Sequence, residues 1–167
     1  MGVNSSADPE NPSLGNTGTI VLTGASTTTS GTANISEGNV TYGAGGSLVL
    51  AGTVTVGTAG NAQLLVSGTG ALIQATTFVI STNASSQNIV TVANGGIIDL
   101  GTGTLNMDAS NATPLSNQVS MLNLNTGGTL KVGNIIKSVT GVGTYAQINF
   151  YGGTLMATQS GTILPGL

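Results

Sequence analysis

Residues 89–107, IVTVANGGIIDLGTGTLNM, contain three short apolar alternations separated by two glycine-rich breaks. The apolar pairs are Val90 with Val92, Ile98 with Leu100, and Leu105 with Met107. Side chains two residues apart lie on the same face of a β-strand. The stretch therefore predicts three short strands that are joined by tight turns, each strand having one apolar face.

The same pattern recurs along the chain, at intervals of 24, 26, 32 and 25 residues between equivalent glycines. The second glycine of each unit is the anchor of the repeat, and the anchors are Gly46, Gly70, Gly96, Gly128 and Gly153. The residues two positions past the anchors are Leu48, Leu72, Ile98, Leu130 and Leu155. We assign the anchors to turns, where glycine adopts positive φ without a Cβ penalty.

Three short strands in about 25 residues cannot bury a core alone, but stacked copies can. The predicted fold class is all-β, a right-handed parallel β-helix of about five to six coils with three short strands each. The right hand follows the rule for parallel crossover connections. The five residues that follow the anchors would form one interior column. We expect residues 1–15 to be a flexible tail and residues 16–167 to be the repeat domain.

Three further features follow from the repeat. Asp99 and Lys131 stand three residues past their anchors, at outward positions of neighbouring coils, and predict an exposed ion pair. The 32-residue interval contains an insertion, residues 108–120, which includes Pro114 and predicts a protruding loop. This loop is either a tolerated insertion or a peripheral binding feature. In the last unit the apolar residues stand one position closer to the anchor, which predicts a turn one residue shorter.

The composition removes several classes of function. The 167-residue chain has no Cys, His, Trp or Arg, only 4% charged residues, and a net charge of −3. The usual zinc, haem and iron–sulfur ligand sets and the His-dependent catalytic triads are therefore excluded. We predict no catalytic, metal or cofactor site, no nucleic-acid partner, and no membrane insertion, since no apolar run approaches about 18 residues.

The aromatic residues are few and fall into two groups. Phe78 and Phe150 occupy inward positions of the repeat and are predicted to be core residues. Tyr145 and Tyr151 are predicted to point outward, where scattered surface aromatics are the simplest interpretation and a sugar-stacking patch is the alternative.

The segment 19–43, TIVLTGASTTTSGTANISEGNVTYG, resembles the autotransporter-associated β-strand repeat of bacterial surface proteins. The matching positions include Leu22, Gly24, Thr27, Gly31 and Val40. The later GGTLKVGN and INFYGGTLMATQSGTILPGL segments resemble downstream repeats of the same proteins. The resemblance implies a right-handed β-helical passenger region that is exported to the cell surface or beyond.

The leading functional prediction is a non-enzymatic extracellular spacer or fibre-forming module. A β-helix exposes an unpaired strand edge at each end, so the expected partners are other copies stacked end to end or neighbouring repeats of a longer chain. The alternative is an adhesin, which would bind a glycan or another surface ligand through the 108–120 loop or through one flat face.

Overall fold

The computed structural model is an all-β solenoid in which three parallel sheets surround one apolar core. It describes residues 19–22, 26–29, 31–82, 86–109, 118–138 and 144–160. All regular structure in these ranges is β-strand, and none of it is helix. The predicted tail, residues 1–15, lies outside the described residues.

Each of the first five coils contributes one strand to each sheet, and the last coil contributes one strand to the first sheet and one to the second. Coil by coil the strands are β1 (Thr19–Leu22), β2 (Ser26–Thr29) and β3 (Ala33–Ile35); β4 (Gly38–Tyr42), β5 (Ser47–Leu50) and β6 (Thr53–Val56); β7 (Ala62–Ser67), β8 (Leu72–Gln74) and β9 (Thr77–Ile80); β10 (Gln87–Ala93), β11 (Ile97–Asp99) and β12 (Thr104–Asn106); β13 (Gln118–Asn125), β14 (Thr129–Val132) and β15 (Asn134–Ile136); and β16 (Thr144–Tyr151) and β17 (Thr154–Ala157).

Every strand pairs in parallel with its counterpart one coil away. The first sheet runs from β1 to β16 and the second from β2 to β17, with six strands each, and the third runs from β3 to β15 with five. The predicted parallel β-helix of five to six coils is therefore confirmed. Because the hydrogen bonds join successive coils, the sheets extend along the axis of the solenoid.

The in-register pairing places like side chains above one another in the interior. One column of the first sheet consists of Tyr42, Val66, Val92, Leu124 and Phe150. The first four of these residues are at most 3% exposed. Phe78 lies in an equivalent column of the third sheet and is buried, as predicted. Stacked coils thus bury what a single coil would expose.

The register corrects one member of the predicted column in the second sheet. Leu48 and Ile98 both pair with Ile73, not with Leu72, and the column continues through Leu130 and Leu155. Ile73 is fully buried, whereas Leu72 is only half-buried. A shift of one residue moves every side chain of a strand to its other face.

The cause of the shift is the turn before β8. Gly70 has a positive φ of 81°, as does Gly95, which is the first glycine of the Gly95–Gly96 pair. Ala71 therefore occupies the position that the second glycine has in the other units. The backbone N–H of Ala71 donates to Gly68 O, as the N–H of Gly96 donates to Ala93 O. Gly70 is therefore equivalent to the glycine before the anchor, and counting from it misplaces the strand by one residue.

The physical role predicted for the anchor glycines is also corrected. Among them only Gly70 has positive φ; in the other units the positive φ belongs to the preceding residue, as in Gly127 at 76°. Gly127 occupies the third position of a four-residue turn that the hydrogen bond from Gly128 N–H to Asn125 O closes, and its positive φ favours glycine there. Gly128 is needed for a different reason, because a Cβ there would overlap the backbone carbonyl of Val92 in the preceding coil.

The boundaries of the predicted loop are too wide. Asp108 is buried, and residues 118–120 already belong to β13, with Ser120 fully buried. Residues 110–117 lie outside the described residues. The shorter last turn is confirmed, because Asn125 pairs with Tyr151 while Thr129 pairs with Thr154, leaving one residue fewer in the final turn.

Candidate binding surface at the last coil

The predicted ion pair forms on the outer face of the second sheet. Lys131 Nζ lies 3.0 Å from Asp99 Oδ2, and both side chains are about one third exposed. Burial would raise the pKa of Asp99, but the hydrogen bonds from Lys131 and from the Gly101 N–H together lower it below the ordinary value of 3.8. Asp99 thus stays ionised at neutral pH, and an exposed pair of this kind contributes about 0–1 kcal/mol.

A buried polar cluster at one corner of the solenoid was not predicted. Asn88 is fully buried; its Oδ1 accepts a hydrogen bond from the Ala62 N–H at 2.9 Å, and its Nδ2 donates to Ser86 Oγ at 2.6 Å. The amide occupies the space above Gly57, where a Cβ would overlap it. The alternation of side chains along β10 could have located this cluster in the sequence, because Asn88 continues the series of inward-facing positions formed by Val90 and Val92. Because the hydrogen bonds of Asn88 are satisfied within the protein, the role of this cluster is structural: it fixes the backbone conformation at this corner.

The last coil differs from the coils formed by β4 to β15 because two of its core positions, those of Phe150 and Ala157, are open to solvent. Phe150 is 55% exposed although its column partner Leu124 is fully buried, which corrects the prediction that Phe150 is a core residue. Ala157 is likewise exposed, while its partner Val132 is buried. Each of β16 and β17 ends its sheet, so one backbone edge of each lacks a partner strand among the described residues. The last coil therefore presents apolar side chains beside unpaired strand edges.

The tyrosines divide between the core and this surface. Tyr145 and Tyr151 are 64% and 62% exposed, as predicted. Tyr42 is buried in its column, and this burial raises its pKa to about 12. The ring of Tyr42 is therefore a neutral core group at physiological pH, and only the two tyrosines of β16 are available to a ligand.

A hollow of about 390 Å³ lies beside Tyr151, at the turn between the first and second sheets. It is lined by Ala93, Asn94, Asn123, Asn125, Thr126 and Tyr151. The lining combines one exposed aromatic ring with three amides and a hydroxyl, and it contains no charged side chain. We call it the Tyr151 hollow. The ion pair predicted from the sequence does not line it.

The described ranges contain no group of three or more His, Cys, Asp or Glu side chains placed to hold a metal ion. None of their elements is a helix of the length and hydropathy that a membrane span requires.

Comparison of the chain with protein-family models, with curated proteins and with solved structures finds no match.

Proposed function

We propose that this chain is a non-enzymatic structural module, a rigid β-solenoid that serves as a spacer or fibre-forming unit on a bacterial cell surface. The observation that carries the proposal is the open last coil, where core-position side chains and unpaired strand edges are exposed together. Support for the cell-surface setting comes from the resemblance to autotransporter-associated repeats.

The mechanical part of the proposal rests on how the strands are connected. Backbone hydrogen bonds join neighbouring coils along all three sheets, and continuous side-chain columns fill the interior. To bend such a rod, several ladders and columns must be disrupted at once. A module of this kind holds its two ends at a fixed distance, which is what a spacer requires.

The proposed occupant of the open coil is the first coil of a second copy. The strands β1, β2 and β3 end their sheets at the opposite side of the solenoid and have the same parallel direction, so a head-to-tail contact would continue each ladder. A head-to-tail contact that continues the axis of the rod does not lead back to the first copy, and we therefore expect it to generate a filament rather than a ring. The net charge of −3 over 167 residues gives little repulsion between copies.

Sedimentation velocity over a range of protein concentrations tests this proposal. We expect the wild type to associate with increasing concentration, and Phe150→Lys to raise the dissociation constant by about tenfold or more, because a charge would lie within the contact. Tyr145→Lys is the matched control, since Tyr145 is on the same strand and equally exposed but points outward.

Two results would contradict end-to-end assembly. One is a wild-type protein that remains monomeric at every concentration, and the other is an equal loss of association in both lysine variants. Electron microscopy of the associated species then distinguishes filaments from closed oligomers.

A further inference from the structure

The geometry points to a second role at the last coil: the Tyr151 hollow is a binding site for a neutral saccharide. This site goes beyond the proposed structural function, because it lies on the side of the solenoid and its lining does not include Phe150 or Ala157. The 108–120 loop does not contribute to it, and of the two outward tyrosines considered for a sugar-stacking patch only Tyr151 lines it.

The size and chemistry of the hollow favour a small neutral ligand. Its volume of about 390 Å³ is at the lower end of ligand pockets, which suits about one or two sugar rings. Side-chain amides both donate and accept hydrogen bonds, so they match vicinal hydroxyl groups. An anionic ligand would need a cation, and the lining residues include neither of the two lysines.

The aromatic side chain supplies the apolar contact that a sugar ring requires. Tyr151 is 62% exposed, and its backbone is fixed by pairing with Asn125. Its carbonyl oxygen accepts a hydrogen bond from Thr126 Oγ1 at 3.1 Å, which joins two lining residues across the coil boundary. A tyrosine offers a large rigid face with a polar tip at little cost in conformational entropy.

The amides are held in place before any ligand arrives. Asn123 Oδ1 accepts from Asn149 Nδ2 at 2.8 Å, and Asn94 Nδ2 donates to Ser67 Oγ at 3.1 Å. Asn94 also has a φ of 51°, a conformation that asparagine tolerates better than most side chains. A site whose polar groups are already oriented loses less entropy on binding.

Asn125 adds an unused hydrogen-bonding group. Its Oδ1 is buried and has no hydrogen-bond partner within the part of the chain that the structure describes. Buried polar atoms are normally paired, so this acceptor is available to a donor that enters the hollow beside it. The terminal amide torsion is broad, and its rotation would turn this amide toward a bound hydroxyl group.

The test is a protein-observed NMR titration with maltotetraose, mannotetraose and galactotetraose, together with tetragalacturonate as the anionic comparison. We expect at least one neutral tetrasaccharide to bind, shifting the side-chain amide signals of Asn94, Asn123 and Asn125. Tyr151→Ala should weaken that binding by about tenfold, and Asn125→Leu should also weaken it. Tyr145→Ala, an equally exposed tyrosine of β16 outside the hollow, should leave it unchanged.

The proposal is overturned if none of the neutral tetrasaccharides binds, if tetragalacturonate binds most tightly, or if Tyr145→Ala weakens binding as much as Tyr151→Ala does. Failure of the saccharide site can be distinguished from failure of end-to-end assembly. Phe150→Lys should leave saccharide affinity unchanged, and Tyr151→Ala should leave the sedimentation behaviour unchanged.

Discussion

Replacing Ile73 by alanine should lower the free energy of unfolding by about 2–5 kcal/mol, the range for removing a buried aliphatic side chain from a core that relaxes only in part. Ile73 is fully buried and lies between Leu48 and Ile98 in the column of the second sheet. Its loss leaves a cavity in contact with the coil on either side. Urea denaturation followed by far-UV circular dichroism measures the change.

Leu72→Ala is the control for this prediction. Leu72 is the neighbour of Ile73 in the chain and is similar in size, but it is only half-buried and pairs with Ile97 on the outer face. We expect its replacement to cost about 1 kcal/mol or less. A larger loss of stability for Leu72→Ala than for Ile73→Ala would restore the register predicted from the sequence and refute the one described above.

The second large effect is expected for Gly128→Ala. An added Cβ would overlap Val92 O and would lie 2.8 Å from Ala93 N, and both atoms belong to the backbone of the preceding coil. Since backbone cannot rotate away as a side chain can, the two coils must separate locally. We expect a loss of about 3 kcal/mol, at the upper end for overpacked sites, measurable by the same denaturation experiment.

Ala71→Gly is the matched reverse change. Ala71 takes the register position of Gly128 two coils earlier and is fully buried, so its turn accommodates a methyl group. We expect Ala71→Gly to cost about 1 kcal/mol, mainly through the greater freedom of glycine in the unfolded chain. If Gly128→Ala had no effect on stability, the close approach of the coils at this turn would be wrong.

Most of the fold could be predicted from the alternation of apolar residues along the sequence. Pairs such as Val90 with Val92 and Ile98 with Leu100 specify strands with one buried face, and their repetition specifies parallel stacking. The outward pair of Asp99 and Lys131 followed from the same register and is found at 3.0 Å. The error at Leu72 arose because its turn has a glycine at only one of two adjacent positions, whereas the other units have glycine at both. The positive φ of Gly70 shows that it occupies the first of these positions and not the second.

The candidate binding surface was harder to predict, because exposure depends on what lies beyond the last coil. Phe150 has the alternation of a core residue, and only its place in the final strand of its sheet leaves it exposed. The Tyr151 hollow combines residues from three successive coils, Asn94, Asn125 and Tyr151, which lie up to 57 positions apart in the chain. Nothing local in the sequence marks them as neighbours.

The central claim is that equivalent residues of successive coils are nearest neighbours in parallel register. A methyl–methyl NOESY experiment on protein labelled at Ile and Leu methyl groups tests it most directly. We predict cross-peaks from Ile98 to Ile73 and from Ile98 to Leu130, residues 25 and 32 positions away in the chain. Ile73 and Leu130 stand two coils apart, about 10 Å, and should give none. Absence of both Ile98 cross-peaks, or Hα–Hα contacts typical of antiparallel strands, would contradict the parallel solenoid.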